Sequence, residues 1–309
     1  MAYRFVLMLI TGIIISCQSS SNNTSQDRQS PETVSNNSID IQGHRGARGI
    51  LPENSIRGFI KALDLGVNTL EMDLCVTKDG LVIVSHEPFM SSEICLDSER
   101  NMISEEEAQD LNIYEMTYEE VRAFDCGSLM HVRFPSQGKV KIVKPLLSDV
   151  FGRTEPYIKL NNLGNIRYNI ELKSSEETDD IYHPNPEAFS KLVFEQIDGQ
   201  VDWSRVTIQS FDFRILRYFK QNYPEVELSQ LIENEESWED NVEKLGFTPD
   251  VYSCYYQLLT PQVISDMHKE GMKVIPWTIN DLAEMQKMIE WGVDGIITDY
   301  PDIAQQLVL

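Results

Sequence analysis

From Ile39 onward, short apolar runs rich in β-branched residues alternate with stretches whose apolar positions return every three or four residues. The runs Asp40–His44, Thr69–Leu74, Leu81–His86, Arg167–Leu172, Val206–Ser210, Glu227–Leu231, Asp250–Ser253, Lys273–Thr278 and Asp294–Thr298 predict strands. Ile56, Phe59, Ile60 and Leu63 share one helical face, with Asn54 or Ser55 as the N-cap. Pro261–Glu270 opens with Pro in a first turn. Asp281–Trp291 follows a capping Asn280 or Asp281 and is stopped by Gly292. Strands alternating with helices in this way predict βα units around a parallel sheet.

Nine strands are one too many for a (β/α)8 barrel. Only Cys75–Gly80 separates the second run from the third, far too short for a parallel crossover. Asp79-Gly80 is a hairpin dipeptide, so Leu81–His86 is expected to return antiparallel on the second strand. The predicted fold is therefore α/β, a (β/α)8 TIM-type barrel with a β-hairpin extension after strand 2 and an insertion near residues 87–166. Within that insertion Thr117–Phe124 reads as helical. A two-residue turn at Asp79-Gly80 pairs Lys78 with Leu81 and hence sets Asp73 opposite His86, with Glu71 on the same face.

The N-terminus has a different character. Arg4 precedes an apolar run, Phe5–Ser16, shorter than the roughly 20 residues that cross a bilayer. Residues 1–16 read as a signal peptide. Ile14-Ile15-Ser16-Cys17 resembles a bacterial lipobox, with Cys17 as the lipidated residue. Residues 17–38 are then a polar, flexible tether, and residues 39–309 the barrel domain. No later segment is long and apolar enough to span a membrane. The expected location is an exported, membrane-anchored bacterial lipoprotein facing the periplasm or the cell surface. Of the remaining cysteines, Cys75, Cys95, Cys126 and Cys254 allow three full pairings. Cys95 with Cys126 is favoured because both lie in one polar insertion; buried free thiols are the other reading.

The chain carries 26 Lys+Arg against 49 Asp+Glu, a net charge of -23. Such a field excludes nucleic acid as the main partner and suits a phosphate only where the local sign is reversed. Candidates for that reversal stand at strand ends, where barrels of this type place their chemistry. Glu71 and Asp73 in LEMDL and Glu171 in NIELK interrupt apolar strands. Three hard oxygen ligands suit one divalent metal, Ca2+ or Mg2+, with ion pairs to Arg45 and Lys173 as the competing reading. His44 and His86 each end a β run and can serve as general base and general acid. His131, His183 and His268 sit in the insertion, a loop and a helix and are set aside. Gly43, Gly46 and Gly49 are read as permitting close approach of a phosphate to the backbone.

HRG followed by PEN, then EMDL, TKDG, VIVSHE, NIELK, QSFD, PWTIN and DGIITDYP, in that order over about Ile41 to Ala304, resemble the glycerophosphodiester phosphodiesterase family. The resemblance implies hydrolysis of glycerophosphodiesters, small-molecule substrates, to sn-glycerol 3-phosphate and an alcohol. It implies a divalent metal on Glu71, Asp73 and Glu171, acid–base work by His44 and His86, and phosphate contacts from Arg45 and Lys173. It sets Trp277 against the glycerol and gives Glu53 and Gln209 substrate-binding or supporting places. It also favours the substrate's own glycerol hydroxyl as nucleophile, through a cyclic glycerol phosphate. The chain departs from the family in one place, having Glu87 where members often carry Asp after the histidine. The alternatives are a lysophospholipase D-like or sphingomyelinase D-like enzyme on the same barrel, or a ligand-binding lipoprotein without catalysis.

Overall fold

The computed structural model describes residues 39–307. The expected signal segment, Cys17 and the tether to residue 38 lie outside the described residues. The nine strands are β1 (Asp40–Gly43), β2 (Thr69–Val76), β3 (Val82–Val84), β4 (Arg167–Leu172), β5 (Val206–Ser210), β6 (Glu227–Ile232), β7 (Val251–Cys254), β8 (Lys273–Val274) and β9 (Gly295–Thr298). Eight of them run parallel in the order β8-β7-β6-β5-β4-β2-β1-β9, and β3 pairs antiparallel with β2. β8 stops after two residues, since Pro276 two residues on has no N–H for a ladder. The β8–β9 seam is closed instead by single bonds: Asp294 N–H to Val274 O (2.9 Å), Ile297 N–H to Pro276 O (3.0 Å) and Ile279 N–H to Ile297 O (2.9 Å).

The helices are α1 (Ile56–Asp64), α2 (Glu105–Asp110), α3 (Tyr118–Val121), α4 (Leu147–Asn161), α5 (Pro186–Ile197), α6 (Phe213–Asn222), α7 (Trp238–Leu245), α8 (Pro261–Lys269), α9 (Leu282–Trp291) and α10 (Pro301–Ala304). The start and stop residues act as their chemistry predicts. Ser55 caps α1 by accepting from the Gly58 N–H, and α1 buries Phe59, Ala62 and Leu63. Asp281 caps α9, and Gly292 ends it at φ 94°.

Two expectations need correction. The insertion is shorter than the span near 87–166, because α4 is a barrel helix that buries Leu147, Val150, Phe151, Thr154 and Ile158 and packs on α1 and α5. Its start is silent in sequence, since Leu146 offers no capping side chain and Pro156 interrupts the pattern. The hairpin register is also displaced by one. Thr77, not Lys78, pairs with Leu81, so the loop is Lys78–Gly80, with Gly80 at φ 74°. Thr77 Oγ1 donates to Asp79 Oδ1 (2.6 Å) and accepts from the Leu81 N–H (3.1 Å), closing a three-residue loop. Asp73 therefore opposes Ser85, whose N–H donates to Asp73 O at 2.9 Å. His86 reaches the site from beyond the end of β3.

The main core lies between the strands and the outer helices. A second core lies within the insertion and includes Met90, Ile113 and Val121. The disulfide Cys95–Cys126 staples that second core, while Cys75 and Cys254 are buried and free. The barrel interior is divided in character. Asp40, Gln42, Thr69, Glu71, Asn169, Thr207, Gln209 and Glu227 bond to one another across β1 to β6. Val251, Ile275 and Ile297, with Trp277, form an apolar cluster on the opposite side. Barrels of this type are more commonly filled by bulky branched residues throughout.

Candidate active site

The C-terminal ends of the strands surround a cavity of about 210 Å3. Its lining brings together eight of the residues read from sequence: His44, Arg45, Glu71, His86, Glu171, Lys173, Gln209 and Trp277. Asp73 stands behind the lining, 1 % exposed. One oxygen from each of Glu71, Asp73 and Glu171 lies within 4.8 Å of the others, and this is the group of side chains among the described residues that could hold a metal ion.

The electrostatics of these three carboxylates are unbalanced. Burial, then the neighbouring Asp73 charge, drives Glu71 well above the usual carboxylate range. Burial also pushes Glu171 up to about 7, against the pull of Lys173. For Asp73, burial is outweighed by Lys173 and Arg45, which hold it well below the usual range. Lys173 Nζ lies 2.8 Å from Glu171 Oε1 and 3.3 Å from Asp73 Oδ1. Ion pairs and a metal cradle are thus not alternatives here. The lysine and Arg45 are present, yet two of three buried acids remain starved of positive charge, and a hard divalent cation fits that need.

Both oxygens of Glu71 and one of Asp73 are aimed by hydrogen-bond donors. Arg45 sits in the left-handed region at φ 49°, which turns its N–H onto Glu71 Oε2 at 2.7 Å. Gln209, which lines the cavity, donates from Nε2 to Glu71 Oε1 at 2.9 Å. Asn54 donates from Nδ2 to Asp73 Oδ2 at 2.8 Å. Glu53 does not line the cavity. It lies behind it, accepting from Arg45 (3.0 Å) and pairing with Arg48 Nε (2.6 Å). Burial alone would raise its carboxyl, and the two arginines together hold it well below the usual range. Its expected substrate contact is corrected to support of Arg45. The buried Arg45 Nε makes no hydrogen bond and lies 3.4 Å from Asp73 Oδ2 as an ion pair.

The two histidines are built alike. His44 Nδ1 lies 2.6 Å from Asp299 Oδ1, and His86 Nδ1 lies 2.7 Å from Glu87 Oε1. A carboxylate on Nδ1 keeps the proton there and leaves Nε2 as the basic nitrogen. Burial lowers the pKa of both, His44 against Asp299 and His86 against Asp73 and Glu87. Asp299 is itself set by Asn280, whose Nδ2 donates to Oδ2 at 2.7 Å and whose Oδ1 accepts from the Asp299 N–H at 2.9 Å. Sequence gives Asp299 and Asn280 no part in the site, although Asn280 lies in the motif PWTIN and Asp299 in DGIITDYP. The other three histidines stand elsewhere. His131 packs on Phe134, His183 ties a loop through the Ser175 N–H, and His268 pairs with Asp294.

The glycines of the first loop are required by the protein's own packing. A Cβ on Gly43 would meet Gly46 O at 2.3 Å, and one on Gly46 would meet Gly58 C at 2.8 Å. A Cβ on Gly49 would strike the Tyr300 ring at 2.3 Å. They let the β1–α1 loop fold on itself and against α1 and Tyr300. The close approach expected at these glycines is therefore met by the protein's own backbone and the Tyr300 ring. Trp277 donates from Nε1 to Ser253 O at 3.0 Å and meets Phe211 edge to face at 5.6 Å, giving the cavity one aromatic wall. Phe211 was not anticipated; it lies two residues beyond Gln209 in QSFD.

The family model of the glycerophosphoryl diester phosphodiesterase family matches residues 44–303. The chain belongs to that family. A relative from Bacillus altitudinis, named glycerophosphodiester phosphodiesterase, is 29 % identical over 272 residues, which cover 86 % of this chain and 97 % of the relative. A solved structure described as a glycerophosphoryl diester phosphodiesterase of Silicibacter pomeroyi DSS-3 superposes with a TM-score of 0.76 at 29 % identity, covering 87 % of this chain and 92 % of that one. A Mus musculus relative named lysophospholipase D is 23 % identical, covering 84 % of this chain and 82 % of the relative. Membership of the glycerophosphoryl diester phosphodiesterase family makes the protein an enzyme, a phosphoric diester hydrolase on a TIM-type barrel.

Proposed function

We propose that the protein hydrolyses glycerophosphodiesters to sn-glycerol 3-phosphate and an alcohol, with one divalent cation on Glu71, Asp73 and Glu171. The observation that carries this reading is the pairing of two histidines, each held through Nδ1 by its own carboxylate, at one cavity with the three acids. When bound, the cation supplies Lewis-acid polarisation of the phosphate oxygens. Arg45 and Lys173 add charge-assisted hydrogen bonds to the phosphate. His44 Nε2 takes the proton of the nucleophile, either water, which gives glycerol 3-phosphate directly, or the substrate's glycerol hydroxyl, which gives a cyclic glycerol phosphate that water then opens, with His86 taking the water's proton and His44 returning its own to the ring oxygen. His86, protonated, gives its proton to the departing alcohol. Nδ1 of each ring stays hydrogen-bonded throughout, so neither imidazole turns between the two transfers. Trp277 and Phe211 hold the glycerol carbons.

The charge balance supports this division. An acidic chain repels a phosphodiester at long range, and the local cations at the rim reverse that sign only within the cavity. We further propose that Cys17 carries a lipid anchor and residues 17–38 tether the barrel to a bacterial membrane facing the periplasm or the exterior.

The test is release of glycerol 3-phosphate from glycerophosphocholine with Ca2+, with Mg2+ and with EDTA, beside His44→Ala. Release that needs a cation and is lost in His44→Ala is the expected result, and the better cation names the metal. A folded protein that leaves glycerophosphocholine intact under both cations, yet frees choline from a lysophospholipid, would replace this substrate with the lysophospholipase D-like one.

A further inference from the structure

A continuous chain of hydrogen bonds runs down the barrel interior from Glu71. Gln209 Nε2 donates to Glu71 Oε1 at 2.9 Å. Asn169 Nδ2 donates to Gln209 Oε1 at 3.0 Å and to Gln42 Oε1 at 2.8 Å. Gln42 Nε2 donates to Asp40 Oδ2 at 2.8 Å. Asp40 also accepts from Thr69 Oγ1 at 2.7 Å, at the opposite end of β1 from His44. Gln42, Asn169 and Gln209 are each less than 5 % exposed.

Both ends of this chain are carboxyl groups, which only accept when ionised, as Glu71 is when it holds a cation. The direction of donation must therefore reverse once along it. The reversal falls on Asn169, which gives both amide protons away. Its Oδ1 is buried without a partner, a condition that native interiors largely avoid. Turning the Asn169 amide would not relieve it. Its oxygen would then face the oxygens of Gln42 and Gln209, unless both turned as well. In that state Gln209 Oε1 would face Glu71 and Gln42 Oε1 would face Asp40, oxygen against carboxylate. The unpaired Oδ1 is the consequence of keeping the Gln209 NH2 aimed at Glu71.

We propose that Asn169 and Gln42 are positioning residues for the cation site, fixing through Gln209 the orientation of Glu71. This rests on the reading of Glu71, Asp73 and Glu171 as cation ligands. Gln209 is held at both ends of its amide, its Nε2 by Glu71 and its Oε1 by the donation of Asn169, and that second hold fixes where the Nε2 group sits against Glu71. Gln42 takes the second Asn169 proton and is itself held by Asp40. With Arg45 N–H on Glu71 Oε2, the carboxylate is clamped from both sides.

Calorimetric titration of the full chain with Ca2+ and with Mg2+ tests this without reference to turnover. Asn169→Ala is expected to weaken cation binding about 10–100-fold, the range found when a group orienting a metal ligand is lost. Gln42→Met, close in volume, is expected to weaken it in the same direction by less, and it carries the test if Asn169→Ala does not fold. In a Gln209→Ala background neither change should weaken binding further, because the path is already cut. Unchanged affinity in both single variants would overturn the proposal. So would losses that simply add to that of Gln209→Ala, which would mark a packing effect. A wild-type chain that binds neither cation would remove the cation reading, and this inference with it.

Discussion

Asp299→Asn is the substitution whose consequence the structure constrains most tightly. Asn280 Nδ2 donates to one carboxylate oxygen of Asp299 at 2.7 Å, and Asn280 cannot turn, because its Oδ1 accepts from the Asp299 N–H. An asparagine at this position must therefore keep its oxygen toward Asn280 and present its NH2 to His44 Nδ1. That stabilises the tautomer with the proton on Nε2, which cannot act as a base. Acid–base catalysis by a positioned side chain contributes about 10²–10⁴-fold, or about 2.7–5.4 kcal/mol of barrier. A fall of that size is expected in kcat for glycerol 3-phosphate release at saturating cation, with KM little changed. The acid limb of the pH–rate profile should also move to lower pH. Burial already lowers the His44 pKa, and loss of the Asp299 charge removes the main influence opposing it. The double variant Asn280→Asp with Asp299→Asn reverses the donors. The carboxylate introduced by Asn280→Asp accepts from the NH2 introduced by Asp299→Asn. The oxygen of that new amide then returns to His44 Nδ1, and the right tautomer is restored. Recovery of at least about tenfold over the single variant is expected, roughly 1.4 kcal/mol. A folded Asp299→Asn enzyme with kcat within about threefold of wild type, well short of the range for acid–base catalysis, would show that Asp299 does not govern His44.

Further outcomes follow from other parts of the molecule. Glu171→Gln removes one of three hard ligands, and the cation concentration for half-maximal activity should rise by more than about 100-fold, beyond the effect of losing a mere orienting group; an unchanged cation titration would take Glu171 out of the ligand set. Replacing Cys95 and Cys126 together by Ser opens a loop closed at a separation of 31 residues, worth about 3–4 kcal/mol in the chain-entropy view, to be read from urea unfolding; a loss under about 1 kcal/mol, below that range, would mean that the insertion core holds without its staple. Phe219 is fully buried on α6, and Phe219→Ala should cost about 3–5 kcal/mol while the kcat of the folded fraction stays as in wild type.

The strand pattern was legible because βα units impose alternation and each strand ends where its chemistry begins. The reduction from nine strands to eight needed only the six residues between Leu74 and Leu81. Its register did not follow, since Asp79-Gly80 serves two-residue and three-residue loops alike and the Thr77 hydroxyl decides between them. α4 was hidden by Pro156 and an uncapped start, although its buried face is regular once seen. The site residues at strand ends were readable as types, but their partners were not. His44 meets Asp299 across 255 positions, a contact only closure of β1 against β9 creates. Gly43, Gly46 and Gly49 announced a close approach without saying to what, and the answer is backbone and the Tyr300 ring. Asn169 and Gln42 carried no signal at all, since a buried amide is distinguished only by the atoms facing it.

The divided interior of the barrel also has a kinetic meaning. The apolar cluster inside the barrel draws Val251, Ile275 and Ile297 from the last third of the chain, whereas β1 to β6 bring mainly polar groups to that space. Hydrophobic collapse of the interior cannot begin until residues near the C-terminus are present. A chain emerging N-terminus first therefore holds an open, strand-edged sheet through most of its length, with polar groups wet and edges available for wrong pairing. Closure of β9 against β1 comes as one late, long-range event. Pulse-labelling hydrogen exchange during refolding should show β1 and β9 amides protected together and after those of β4 and β5. Protection of β1 before β9 would show that the N-terminal half closes on itself first.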